Sequence, residues 1–65
     1  MKTVLLGSAP DFIIIQKVIS AFFYGSPFTL RENKKDWTVI NYKGDETKLR
    51  IIKKGKRYRF EMEMP

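Results

Sequence analysis

The chain has 65 residues, with 13 Lys and Arg against 7 Asp and Glu, a formal net charge of +6, 43% apolar residues, no Cys and no His. That length holds one domain, and a domain so small buries only about 60% of the surface its unfolded chain exposes. The missing residue types exclude a disulfide framework, an ordinary structural zinc site, and Ser-His or Cys-His catalysis.

Met1-Lys2 followed by Val4-Leu5-Leu6 begins as a signal peptide does, but the apolar run breaks at Gly7-Ser8-Ala9-Pro10-Asp11, before an apolar core of signal-peptide length is reached. Lys2–Leu6 reads instead as a short β-prone strand. The next segment opens as a helix. Ser8 is placed to cap it, Pro10 is tolerated in a first turn, and Asp11 stands three residues after Ser8, where a capping box and the helix dipole favour an acid. Phe12, Ile15, Ile19, Phe22 and Phe23 then recur at helical spacing beside Val18, with Gln16, Lys17 and Ser20 largely on the other side. Gly25 is placed to end the helix in a left-handed conformation, and Pro27 blocks its continuation. The stretch Phe12 to Tyr24 is too short to span a bilayer, so no membrane span and a soluble, cytoplasmic protein are expected.

Four further strands are predicted over Phe28–Glu32, Trp37–Lys43, Thr47–Lys53 and Tyr58–Met64. Gly44-Asp45 and Gly55-Lys56 read as two-residue hairpin loops with Gly first, as a type II′ turn prefers. A three-residue loop, Lys34-Lys35-Asp36, joins the first pair and puts Phe28 and Leu30 on the apolar face. With these turns Ile40 faces Leu49, Thr38 faces Ile51, Ile51 faces Phe60 and Leu49 faces Met62. One sheet face then carries Ile40, Tyr42, Leu49, Ile51, Tyr58, Phe60, Met62 and Met64. The other pairs Arg50 with Glu61 and Lys48 with Glu63. The expected architecture is α+β in two layers. One amphipathic helix packs on an antiparallel meander of four strands, and the short N-terminal strand adds a fifth at an edge, in the order β-α-β-β-β-β.

The charge is uneven: residues 1–30 carry a net +1 and residues 31–65 a net +5. The expected hairpins gather Lys34, Lys35, Lys53, Lys54, Lys56, Arg57 and Arg59 at one end of the sheet, near only Glu32 and Asp36. The opposite end carries Asp45, Glu46, Glu63 and the C-terminal carboxylate against Lys43 and Lys48. In this register Trp37 points away from the helix, in a row with Ile52 and Arg59. Cations that displace counterions, beside an indole on which a base can stack, suit a nucleic-acid backbone. The competing structural reading has the indole covering the aliphatic stems of Arg59 and Lys54, and the lysines forming a solvated turn that guards against edge aggregation. The surface as drawn requires both loops at one pole and an indole directed away from the helix.

The first functional expectation is therefore a small nucleic-acid-binding module of low sequence specificity. It grips a DNA or RNA backbone through Lys34, Lys35, Lys53, Lys54, Lys56 and Arg57, with Trp37 and Arg59 stacking or packing on sugars and bases. The alternative is a protein-interaction module, such as a phage or mobile-element accessory protein inhibiting a host machine, with Trp37-Ile52-Arg59 as its contact row. An anionic-lipid surface is a third, weaker partner for the same basic end. Homodimerisation through spare apolar surface near Phe22, Phe23, Tyr24 and Phe28 stays open. No enzyme is expected, since no side chain with a near-neutral ordinary pKa is present, and no cofactor is implied. A cation site at Asp45, Glu46, Glu61 and Glu63 is rejected in favour of charge pairing with Lys48 and Arg50.

Overall fold

A computed structural model describes residues 2–64; the C-terminal carboxylate lies outside the described residues. The elements in chain order are β1 (Lys2–Ala9), α1 (Phe12–Phe22), β2 (Thr29–Glu32), β3 (Asp36–Ile40), β4 (Glu46–Lys54) and β5 (Arg57–Met64). The strands form one antiparallel sheet in the order β1-β5-β4-β3-β2, and α1 lies against β1 and β5. The expected meander and the edge position of the N-terminal strand are both present. No helix among the described residues is long and apolar enough to cross a membrane.

β1 runs to Ala9, three residues beyond the expected strand. Leu5 pairs with Glu61 and Gly7 with Phe60, so Leu6 is a bulge, after which Ser8 pairs with Arg59 and Ala9 with Tyr58. Ser8 is thereby held in the sheet and cannot cap the helix. Asp11 caps it instead: its backbone is extended, and its Oδ1 accepts the Ile14 N–H at 2.8 Å. Gly7 lets the helix approach, because a Cβ there would stand 2.9 Å from Val18 Cγ1.

Ile15 and Ile19, one turn apart, are fully buried and anchor α1 on a core of Ala9, Val39, Leu49, Ile51 and Phe60. The helix ends in a Schellman arrangement: Gly25 N–H donates to Ser20 C=O at 2.9 Å and Tyr24 N–H to Ala21 C=O at 3.1 Å. Gly25 has φ +82°, as the sequence suggests, but Tyr24 also lies in the left-handed region, at φ +54°. Phe23 then stacks on Phe28 at 5.8 Å, leading the chain across the core to β2 at the far edge.

The β4–β5 hairpin has the expected register, with Leu49 opposite Met62, Arg50 opposite Glu61 and Ile51 opposite Phe60. Its loop is Gly55-Lys56, and the positive φ is confined to Gly55, as a type II′ turn requires.

The β3–β4 connection differs from expectation. Asn41 C=O accepts the Gly44 N–H, Asn41 N–H donates to Asp45 C=O, and Asn41 Oδ1 accepts the N–H groups of Lys43 and Asp45. The loop is therefore Tyr42-Lys43-Gly44, held by the Asn41 side chain, with Gly44 left-handed at its end, φ +84°. An irregularity follows, between the Ile40–Glu46 and Thr38–Arg50 pairs, where Thr47 Oγ1 donates to Val39 C=O. The result places Trp37 opposite Ile51 and Thr38 opposite Arg50, one residue away from the expected register. That slip exchanges the two faces of β3. Val39 and Trp37 join the core side, Thr38 turns to the open face of the sheet, and Tyr42, expected among the apolar residues, is 67% exposed. The β2–β3 loop is also one residue shorter than expected: Asp36 begins β3 and its C=O accepts the Asn33 N–H, leaving Lys34-Lys35 as the loop. Because β3 is displaced by one residue in its register with β2 as well as with β4, Leu30 pairs with Val39, and Leu30 and Phe28 still pack on the core.

Candidate nucleic-acid interface

The antiparallel ladder fixes which loops share an end. Asp36 is opposite Ile52, Ile52 is opposite Arg59, and Lys54 is opposite Arg57. The Lys34-Lys35 loop and the Gly55-Lys56 loop therefore project from the same pole, as expected. The end of β1 comes to this pole too, since Ser8 pairs with Arg59 and Ala9 with Tyr58. Two strand spacings separate the centres of the two cationic loops, about 10 Å.

The cations fall into two classes. Three arginines of the open sheet face are each tied to a glutamate: Arg31 to Glu46 at 2.9 Å, Arg50 to Glu63 at 3.1 Å, and Arg59 to Glu61 at 2.6 Å. Arg50 also donates to the buried Thr38 Oγ1 at 2.9 Å, which accepts from Asn33 Nδ2 as well. These partners differ from the directly opposed pairs expected. Arg50 reaches diagonally past Glu61 to Glu63, and Glu61 is held by Arg59 on its own strand. By contrast, Lys34, Lys35, Lys53, Lys54, Lys56 and Arg57 are exposed and form no salt bridge among the described residues. Arg57 donates to Ser8 Oγ at 3.3 Å, which leaves its charge uncompensated.

Trp37 is not where the sequence places it. The indole is half-buried on the helix side and packs on Phe12 at 4.9 Å and Tyr58 at 6.0 Å, with Phe12 and Tyr58 at 5.4 Å. The reason is the one-residue slip between β3 and β4, which turns Trp37 toward the first residue of α1. Neither a stacking platform facing outward nor a lid over Arg59 and Lys54 results: of the two conditions the expected surface requires, the shared pole is met and the outward indole is not, so the surface that includes Trp37 does not exist. The expected row Trp37-Ile52-Arg59 is split across the sheet, with Ile52 and Arg59 on the open face and Trp37 on the other. Arg59 is likewise engaged with Glu61 rather than free for a phosphate.

What the three rings do is brace the pole. Phe12 starts the helix, Trp37 follows the Lys34-Lys35 loop, and Tyr58 follows the Gly55-Lys56 loop, so one aromatic cluster joins the bases of all three segments. Lys53 Nζ lies 5.7 Å from the centre of the Tyr58 ring, on the helix side, while Lys54 alternates to the open side. The sequence singled out neither this brace nor Ser8 as a partner of Arg57; the bulge at Leu6, which carries no composition signal, brings Ser8 there.

Comparison with protein-family models, curated proteins and solved structures finds no match for this chain.

Proposed function

We propose that the protein is a small nucleic-acid-binding module of low sequence specificity that grips the phosphate backbone. The carrying observation is the division of its cations: Arg31, Arg50 and Arg59 are each paired with a glutamate, whereas six cations in and beside two neighbouring loops are exposed, at one pole and without a salt bridge among the described residues. Unpaired cations release counterions from a polyanion, and that release is the main source of non-specific affinity. A loop separation of about 10 Å corresponds to about three base-pair rises along the axis of a duplex.

The packing of Trp37 against Phe12 and Tyr58 shapes the mode of binding. With the indole half-buried, contacts are to phosphates and sugars rather than by base stacking. The helix offers no recognition surface for a groove, since its exposed side carries Ile13, Ile14, Ala21 and a single cation, Lys17. Such contacts position a protein on a backbone without reading sequence.

The test is a gel shift with single- and double-stranded DNA and RNA of scrambled sequence. The wild type is expected to shift all of them at low salt. The variant with Lys53, Lys54, Lys56 and Arg57 all changed to Glu is expected to shift none while keeping its fold by circular dichroism. Equal shifts by wild type and the folded variant would overturn the proposal.

A further inference from the structure

The strand ends are not level at the basic pole. β3 begins at Asp36, opposite Ile52, and β1 leaves the sheet after Ala9, opposite Tyr58, which also pairs with Lys53. The β4–β5 hairpin continues past both neighbours, through the Lys54–Arg57 pair to the Gly55-Lys56 turn. The Lys34-Lys35 turn follows directly on Asp36, level with Lys53, so the tip of the β4–β5 hairpin stands two residues higher, about 7 Å at the rise of a strand. This tip is a bare two-stranded ribbon, about two strand spacings or 10 Å across. Lys54, Gly55, Lys56 and Arg57 are all exposed on it, with no acidic or aromatic residue among them.

We propose that this tip enters the major groove of a B-form DNA duplex while the Lys34-Lys35 loop rests on the backbone beside it. The inference rests on the phosphate grip and names the polyanion. Dimensions choose the groove. The major groove of B-DNA is about 12 Å wide and about 8.5 Å deep and admits a two-stranded ribbon, whereas the minor groove, about 6 Å wide, does not. A tip that rises about 7 Å enters before the shoulders formed by the Lys34-Lys35 loop and the β1–α1 turn meet the backbone. Half the groove, about 6 Å, separates the axis of the ribbon from the wall. The Lys34-Lys35 loop, about 10 Å from that axis, therefore stands over the phosphates that form the wall. Lys53 on the helix side and Lys54 and Arg57 on the open side point in opposite directions along the groove, where phosphates of either strand are within reach of long side chains. A-form RNA has a deep, narrow major groove that such a ribbon cannot enter. A single strand has no groove, and with Phe12, Trp37 and Tyr58 packed on one another this pole gives it no stacking platform in exchange.

The test is a set of fluorescence-anisotropy titrations of the wild-type protein at one salt concentration, about 50 mM, with three duplexes of the same sequence. One is plain DNA, one is DNA with glucosylated 5-hydroxymethylcytosine in place of cytosine, and one is RNA. The glucose fills the major groove and leaves the phosphates in place. Plain DNA is expected to bind tightest, with the other two at least about tenfold weaker, because the cations of the tip then stay outside the groove. Glucosylated DNA bound as tightly as plain DNA would overturn groove entry while leaving the phosphate grip standing. An RNA duplex bound as tightly as the DNA would do the same. Failure to bind any of the three would overturn the grip and the groove assignment together.

Discussion

Gly7→Ala tests the packing of helix on sheet most sharply. A Cβ at this position would stand 2.9 Å from Val18 Cγ1, where ordinary contact begins at 3.4 Å, so helix and strand must part by about half an ångström. Over-packing of this kind costs about 1–3 kcal/mol. The φ of Gly7 is not positive, so no backbone strain adds to it. Reduced freedom of the unfolded chain acts the other way, by about 0.4–1 kcal/mol. At the midpoints of the two ranges the net expectation is a loss of about 1.3 kcal/mol, from a total of about 3–10 kcal/mol for a chain of this length. At about 4–8 °C per kcal/mol, the melting temperature should fall by about 5–10 °C. Urea denaturation of wild type, Gly7→Ala, Val18→Ala and the double variant closes a cycle in which the steric term appears as coupling. The double variant should be more stable than the sum of the two single losses implies, by at least about 0.5 kcal/mol. A Gly7→Ala protein as stable as the wild type or more so, or a cycle without coupling, would refute the close approach.

Substitutions at three further positions probe features that sequence pattern alone does not reveal. Tyr24→Gly should stabilise the protein by about 1 kcal/mol in urea denaturation, since Tyr24 sits at φ +54° with its side chain 97% exposed, and Gly adopts that conformation without strain. Thr38→Val should cost about 1–3 kcal/mol, because it leaves Arg50 and Asn33 without the hydroxyl they share, while Thr38→Ser should stay within about 0.5 kcal/mol of wild type. Trp37→Ala should cost about 2 kcal/mol by loosening the brace with Phe12 and Tyr58, yet the folded protein should retain its nucleic-acid affinity at low temperature. A stable Trp37→Ala protein that had lost binding would point to stacking instead.

The sequence was most legible where turn chemistry and strand alternation agreed. Gly55-Lys56, with Leu49, Ile51, Phe60 and Met62 on one side and Arg50 and Glu61 on the other, fixes one hairpin, and the structure has that register. Gly44-Asp45 offers the same outward sign and misleads. A glycine can open a two-residue turn or close a three-residue one. The side chain that decides is Asn41, whose Oδ1 holds two N–H groups of the loop. The consequence reaches Trp37 four residues upstream of Asn41, because a strand has period two and a single slip exchanges its faces. The position of the cationic loops survived that slip: which end of the sheet a hairpin occupies depends on strand direction, whereas the face of a side chain depends on register. The helix start was misplaced for a related reason. Ser8 is a sound cap in isolation, but residues 7–9 extend β1 along β5, and Asp11 takes the capping role.

The most direct test of the phosphate-gripping account is the slope of log affinity against log salt for a DNA duplex. Six engaged cations predict a slope of about −5, and Lys34→Ala with Lys35→Ala should make it shallower by about 2 without changing the fold. A wild-type slope near zero, or one that the double substitution leaves unchanged, would contradict the account.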